Sequence, residues 1–387
     1  MDSALPDFDL KAVSRITFGA GRAPRVAEDA KALALPGKPA ALVVDGPLHE
    51  LGLAAEVIAG LETAGLSVAV FAEVSGEPKQ AQVEAATAFL RSHDAGLVVC
   101  LGGGSALDIG KMAACVAPTG KGPGDFAMKA DSLPGPGLPK ICIPTTAGTG
   151  SELSSTNIFL GDGGKKVWIW SARSKPDAVI LDPELTVSLP PHLTAWTGLD
   201  AFTHALESCS NLWRHAGNDL YAHRALGLIS ESLETAVKEP KNVAARGKML
   251  LGSALAGIAI DNCNAGPAHN ISHALAALAP VHHGLATALG LEVVLPWQAE
   301  VDEGPFAAAA AACGLGPDAA ALGDWYSDLL SRCGVERRLP EAFKVFGADD
   351  LAAEMRAPET QFSRDSSARK VGEAEVDRFA AAVMAMA

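Results

Sequence analysis

The chain has 387 residues, 49% of them hydrophobic and 20% charged, which is enough for two domains with sizeable buried cores. Its formal net charge of -14 argues against a nucleic-acid partner, whose phosphates would be repelled, and against an anionic membrane surface. Seven scattered cysteines without a C-x-x-C pair read as free thiols of a reducing cytoplasm.

The opening M-D-S-A-L-P-D-F-D-L has no basic region followed by an apolar run, so no secretory signal is expected. No uninterrupted apolar stretch reaches membrane-spanning length, and the expectation is a soluble cytoplasmic protein without a membrane partner. Up to about residue 188, short apolar runs alternate with helical patterns, the mark of a parallel α/β layer. A-A-L-V-V-D at 40–45 is a buried-strand run, followed by a predicted helix over 51–64. A second strand at 67–71 precedes a helix over 83–92. A third strand at 96–101 runs directly into Gly102-Gly103-Gly104-Ser105 and a helix to about Val116. Residues 118–139, with many Gly and Pro, read as a loop, and 140–146 as a strand and loop. Short extended runs follow at 166–170 and 178–181. From Leu193 onward, alanine-rich helical periodicity takes over. The boundary therefore falls near Pro190-Pro191, with an α/β domain over 1–189 and an all-helical domain over 190–387.

A strand that runs into three glycines, a serine and a helix is a phosphate site by physics. Glycine lets backbone N–H groups approach an anion, and a helix N-terminus adds a favourable dipole. A tight strand-to-helix turn is the competing role, but three consecutive glycines exceed what a turn requires. Pro144 to Glu152, P-T-T-A-G-T-G-S-E, is a second small-polar loop after a strand, with hydroxyls on Thr145, Thr146, Thr149 and Ser151. Two such loops after neighbouring strands suggest a long polyphosphate ligand across the strand ends. Asp45 ends the first clear strand, where a carboxylate can accept from a ribose 2′-hydroxyl; an Asx turn before Gly46-Pro47 is an equal alternative.

Four of the ten histidines fall between Asn262 and Gly284: His269, His273, His282 and His283. His269 and His273 are four apart in a helical pattern and share a face, as do Asp200 and His204 upstream. Two such pairs and a loop histidine can surround one divalent cation with nitrogen and oxygen ligands. Spacing alone allows both His269 and His273 to be ligands.

Together these motifs resemble the iron-containing (group III) alcohol dehydrogenase family. The resemblance rests on G-G-G-S-x-x-D (Gly102 to Asp108), P-T-T-A-G-T-G-S-E, L-D-P-E-L (Leu181 to Leu185) and G-L-D-A-F-T-H-A-L-E (Gly198 to Glu207). It continues through H-x-x-x-H (His269, His273) and His283-Gly284. It implies a Rossmann-like parallel-sheet dinucleotide-binding domain and an all-α helical domain, the architecture shared with dehydroquinate synthase, with the active site in the cleft between them. By motif position the metal ligands are Asp200, His204, His269 and His283, and His273 is the catalytic residue beside the nicotinamide. Gly102, Gly103, Gly104 and Ser105 cradle the pyrophosphate of NAD, with Asp108, Thr145, Thr146 and Thr149 also on the cofactor side. His283 is preferred to His282 because the family's ligand immediately precedes glycine. Ile260, Trp196, Trp168 and Trp170 depart from the family's pattern and imply a reshaped substrate pocket.

The implied activity is hydride transfer between NAD(H) and a primary alcohol or aldehyde bound to Fe²⁺, with Zn²⁺ also suited to the donor set. The implied assembly is a homodimer. The competing enzyme readings are a glycerol dehydrogenase or a dehydroquinate synthase of the same superfamily. A catalytically silent metal- or nucleotide-binding protein is the reading from another class.

Overall fold

The computed structural model describes residues 7–11, 13–301 and 304–387. The first six residues, on which half of the expectation about a secretory signal rests, lie outside them. The chain divides into two compact units: Val13–Ser188, and Leu189–Ala387 together with the described part of residues 1–12.

The first unit is built on a six-stranded parallel sheet. Its strands are β1 (Arg15–Phe18), β2 (Ala40–Asp45), β3 (Val68–Val74), β4 (Leu97–Gly102), β5 (Lys140–Pro144) and β8 (Ala178–Leu181), in the order β1-β8-β5-β4-β2-β3. Helices α1 (Ala27–Leu33), α2 (Gly46–Glu50), α3 (Ala55–Thr63), α4 (Gln80–Ser92) and α5 (Gly104–Val116) connect them. Both faces of the sheet are covered, which is why its strands read as unbroken apolar runs. Along β2, Ala41 and Val43 pack toward α4 and α5, while Ala40, Leu42 and Val44 pack toward α1 and α3. A separate antiparallel hairpin, β6 (Thr156–Leu160) and β7 (Lys166–Trp170), carries Phe159 and Ile169 into the first of these cores.

Three differences from the sequence reading have local causes. The helix expected over 51–64 starts late, at Ala55: residues 51–54 form a turn in which Gly52 takes a left-handed φ of 79°, and the short helix α2 precedes it. Strand β1 is four residues at a sheet edge, too short to show a period. In β6, T-N-I-F-L buries only alternate residues and one of these is Asn157, so no apolar run marks it.

The second unit is helical: α6 (Pro191–Cys209), α7 (Ala216–Lys238), α8 (Val243–Asp261), α9 (Pro267–Leu278), α10 (His283–Ala299), α11 (Pro305–Ala312), α12 (Ala321–Arg332), α13 (Ala348–Met355), α14 (Pro358–Asp365) and α15 (Glu373–Met384). Helix α6 packs against α7, α8 and α10, and α10 packs against α9. Helix α8 is long and apolar enough to cross a membrane by length and composition, but 67% of that span is buried inside the unit. Its apolar character belongs to a core helix.

Candidate metal centre and cofactor loops

In the sheet unit, Asp45, the glycine loop and the Thr-rich loop leave the carboxyl ends of β2, β4 and β5, which are adjacent. The chain runs from β2 outward to β3 and then returns past β2 to β4, so this is where the strand order reverses. Open parallel sheets bind ligands at that point. Gly102 has φ of +150°, and a Cβ there would meet Asp45 Oδ2 at 2.3 Å. A Cβ on Gly104 would lie 2.7 Å from Thr149 Cγ2, and one on Gly103 would lie 3.5 Å from Thr146 Cγ2. The two loops therefore touch, and the glycines are what let them.

Several side chains expected on the cofactor side hold the loops to each other. The Gly103 amide donates to Asp45 Oδ2 at 3.0 Å. Burial raises the Asp45 carboxyl's pKa and this amide draws it back. The Thr145 amide donates to the Gly102 carbonyl at 3.0 Å, and the Ser151 amide to Thr149 Oγ1 at 3.2 Å. Asp108 accepts from the Ser151 hydroxyl and from the Ile158 amide, the latter at 3.1 Å. Its carboxylate thus ties α5 to the Thr-rich loop and to β6.

In the helical unit, Asp200 and His204 lie one turn apart on α6, His269 and His273 one turn apart on α9, and His283 is the first residue of α10. One donor atom each from Asp200, His269 and His283 lie within 4.8 Å of one another. Asp200 Oδ1 is 3.6 Å from His269 Nε2, 3.7 Å from His283 Nε2 and 4.0 Å from His204 Nε2. His204 stands at the edge of the cluster, its ring stacked on His269 with centroids 4.7 Å apart. His273 lies outside the three-donor set; its ring stacks on His283 at 5.6 Å and meets His269 edge-on at 6.1 Å. His282 caps α10, accepting the Gly284 amide at 3.2 Å, and its ring packs 5.0 Å from Trp196.

The donors fit a divalent ion. Bonds of about 2.1 Å to a tetrahedral ion place neighbouring ligand atoms about 3.4 Å apart, and the spacings from Asp200 lie just above that. Asp200 Oδ1 and His269 Nε2 are buried without a hydrogen-bond partner, a state that is otherwise costly. Burial alone would raise the Asp200 carboxyl's pKa, but His204, His283 and His269 around it hold it far below the usual range. Burial would lower the His269 imidazole's, but Glu207 and Asp200 push it up to about 9. A cation among these donors would take the place of that proton.

Glu207 ends the G-L-D-A-F-T-H-A-L-E motif on α6, and His269 Nδ1 lies 2.6 Å from its carboxylate. The signal was present in its spacing, since positions 200, 204 and 207 follow one face of a helix. Of the four residues expected to reshape the pocket, Ile260 is the half-buried penultimate residue of α8, Trp196 lies one turn before Asp200, and Trp168 and Trp170 sit on β7.

The sequence profile of the iron-containing alcohol dehydrogenases matches residues 13–183, and that of the Fe-containing alcohol dehydrogenase family's C-terminal domain matches residues 194–345. The chain is similar to the sulfoacetaldehyde reductase of Bilophila wadsworthia, 36% identical over 276 residues, covering 71% of this chain and 70% of that protein. It is also similar to long-chain-alcohol dehydrogenase 1 of Geobacillus thermodenitrificans, 38% identical over 256 residues, 66% of this chain and 65% of that one. Among solved structures, the sulfoacetaldehyde reductase of Bifidobacterium kashiwanohense in complex with NAD⁺ superposes with a TM-score of 0.86 at 30% identity, covering 96% of this chain and 97% of the other. The alignments with the Bilophila and Geobacillus sequences thus span about two thirds of those proteins, whereas the structural match spans nearly all of both chains.

Proposed function

The chain belongs to the iron-containing alcohol dehydrogenase family, and from that membership we propose a metal- and NAD-dependent oxidoreductase that interconverts a primary alcohol and its aldehyde. The observation that carries this is the cluster of Asp200, His269 and His283, with two buried donor atoms left without hydrogen bonds. The sheet unit, Val13–Ser188, serves as the dinucleotide-binding domain, and the helical unit, Leu189–Ala387 with the described part of residues 1–12, as the metal-binding domain. Asp200, His204, His269 and His283 hold one divalent ion, Fe²⁺ in keeping with the family.

When bound, the cation supplies Lewis acidity toward the substrate oxygen, and NAD supplies the hydride acceptor. The chain's own residues bind and orient. Gly102, Gly103, Gly104 and Ser105, at the turn from β4 into α5, cradle the pyrophosphate, the Gly103 amide being held by Asp45, with Thr145, Thr146 and Thr149 bordering it. Asp45 beside Gly103 disfavours a 2′-phosphate and so favours NAD over NADP. His273, one turn beyond His269, takes the alcohol's proton toward water. The same family resemblance supports a homodimer, and seven free cysteines support a cytoplasmic location.

The test is turnover of Fe²⁺-loaded, anaerobically purified protein with a panel of primary alcohols plus NAD, and of aldehydes plus NADH. Activity that follows metal content is expected. No turnover of any member by fully loaded protein would leave a metal- and nucleotide-binding protein without this chemistry.

A further inference from the structure

Glu207 lies on α6 two turns beyond Asp200 and is 2% exposed. It accepts from the Gly266 amide at 2.6 Å and the Ala268 amide at 2.7 Å, the N-cap and second residue of α9. Its Oε2 also lies 2.6 Å from His269 Nδ1. Gly266 approaches so closely that a Cβ there would meet Glu207 Oε1 at 2.8 Å. A helix cap requires only the first two of these contacts. The third reaches a proposed metal donor. A carboxylate only accepts, so Nδ1 keeps its proton and Nε2, turned toward Asp200 Oδ1 at 3.6 Å, is the nitrogen left for a cation.

His283 is held in the same sense by a neutral group. Its Nδ1 lies 2.9 Å from Ser272 Oγ, and the Ser272 hydroxyl lies 3.3 Å from the His283 carbonyl, which it can donate to while accepting from Nδ1. The contrast places the charged, more buried anchor on His269.

We infer that Glu207 is the positioning residue of the metal centre: one carboxylate fixes the His269 tautomer and clamps that ligand to the first turn of α9. Metal affinity and the seating of the α9 N-terminus are thereby set by the same side chain. This rests on the reading of Asp200, His269 and His283 as metal donors.

The experiment titrates metal-free full-length protein with Co²⁺, following its d–d absorption, for wild type, Glu207→Gln, Ser272→Ala and Asp200→Asn. Melting temperatures of the metal-free forms are recorded alongside. Gln must turn an NH₂ either toward the Ala268 amide or toward both the Gly266 amide and His269 Nδ1, so Glu207→Gln should bind about 10–100-fold more weakly with a changed spectrum. Ser272→Ala should shift the dissociation constant less. A wild-type dissociation constant and spectrum in Glu207→Gln overturn the inference whatever its melting temperature, since a cap alone would move only the latter. If Glu207→Gln fails to fold, Glu207→Asp carries the test: its shorter carboxylate keeps the charge but withdraws from His269, and the same two outcomes decide. A wild type without a single tight Co²⁺ site, or Asp200→Asn binding as wild type does, overturns the metal-centre reading itself and this inference with it.

Discussion

The two units carry their chemistry in opposite ways. At the strand ends of the α/β unit, polar side chains are already hydrogen-bonded: Asp45 to the Gly103 amide, Asp108 to the Ser151 hydroxyl and the Ile158 amide, Thr149 to the Ser151 amide. What that surface offers a ligand is missing bulk, at Gly102, Gly103 and Gly104. In the helical unit the reverse holds. Asp200 Oδ1 and His269 Nε2 are buried donors without hydrogen bonds, aimed at each other across a gap of ligand–ligand length. A phosphate loop is a space shaped by absent side chains; a metal centre is a surplus of present ones. Substitutions should therefore act oppositely, with added atoms harming the first and removed atoms harming the second.

The largest effect is expected from removing donors. His204→Ala or His269→Ala should purify with little metal and show turnover near background, while His282→Ala, which loses the cap contact to Gly284 and the packing on Trp196, should keep both. Metal analysis with steady-state kinetics decides this, and full occupancy in His204→Ala would reduce the centre to the three donors of Asp200, His269 and His283. Next comes His273→Ala, which should keep its metal and NAD affinity yet lose about 10²–10⁴-fold in kcat. Loss of metal from that variant would make His273 a ligand and erase the distinction drawn between the two α9 histidines.

Adding a single carbon tests the other unit. In Gly104→Ala the new Cβ would meet Thr149 Cγ2 at 2.7 Å, forcing the two loops apart. The expected result is about tenfold weaker NAD binding, or ~1.4 kcal/mol, with metal content untouched. NAD binding that is unchanged by calorimetry would mean the glycines serve only the turn. The smallest effect belongs to Asp45→Gly, which should raise NADP use relative to NAD by several-fold. An unchanged ratio of kcat/KM values would leave Asp45 with its Gly103 bond alone.

What was legible in the sequence follows the same division. The sheet strands could be read because both faces are buried, so β2, β4 and β5 appear as continuous apolar runs. The glycine loop and the i,i+4 pairs could be read because spacing alone puts those groups in register on a helix or at a strand end. The β6 strand was not, since buried Asn157 breaks its pattern. Nor was the late start of α3, where a helical composition hides the left-handed Gly52. For Glu207, spacing shows only that it shares the Asp200–His204 face of α6; its partners, Gly266, Ala268 and His269, are about sixty positions away, and one chain read alone shows no such pairing. For the same reason, Asp108 gave no hint of its contacts with Ser151 and Ile158.

The most direct measurement is X-ray anomalous scattering at the iron and zinc edges from crystals of anaerobically purified wild-type protein. The account predicts one peak per chain within bonding distance, about 2.0–2.2 Å, of Asp200 and of His269 and His283 Nε2, with His204 Nε2 drawn in as the fourth ligand. No peak among these residues in protein that turns over alcohol with NAD, or a single peak elsewhere, would contradict it.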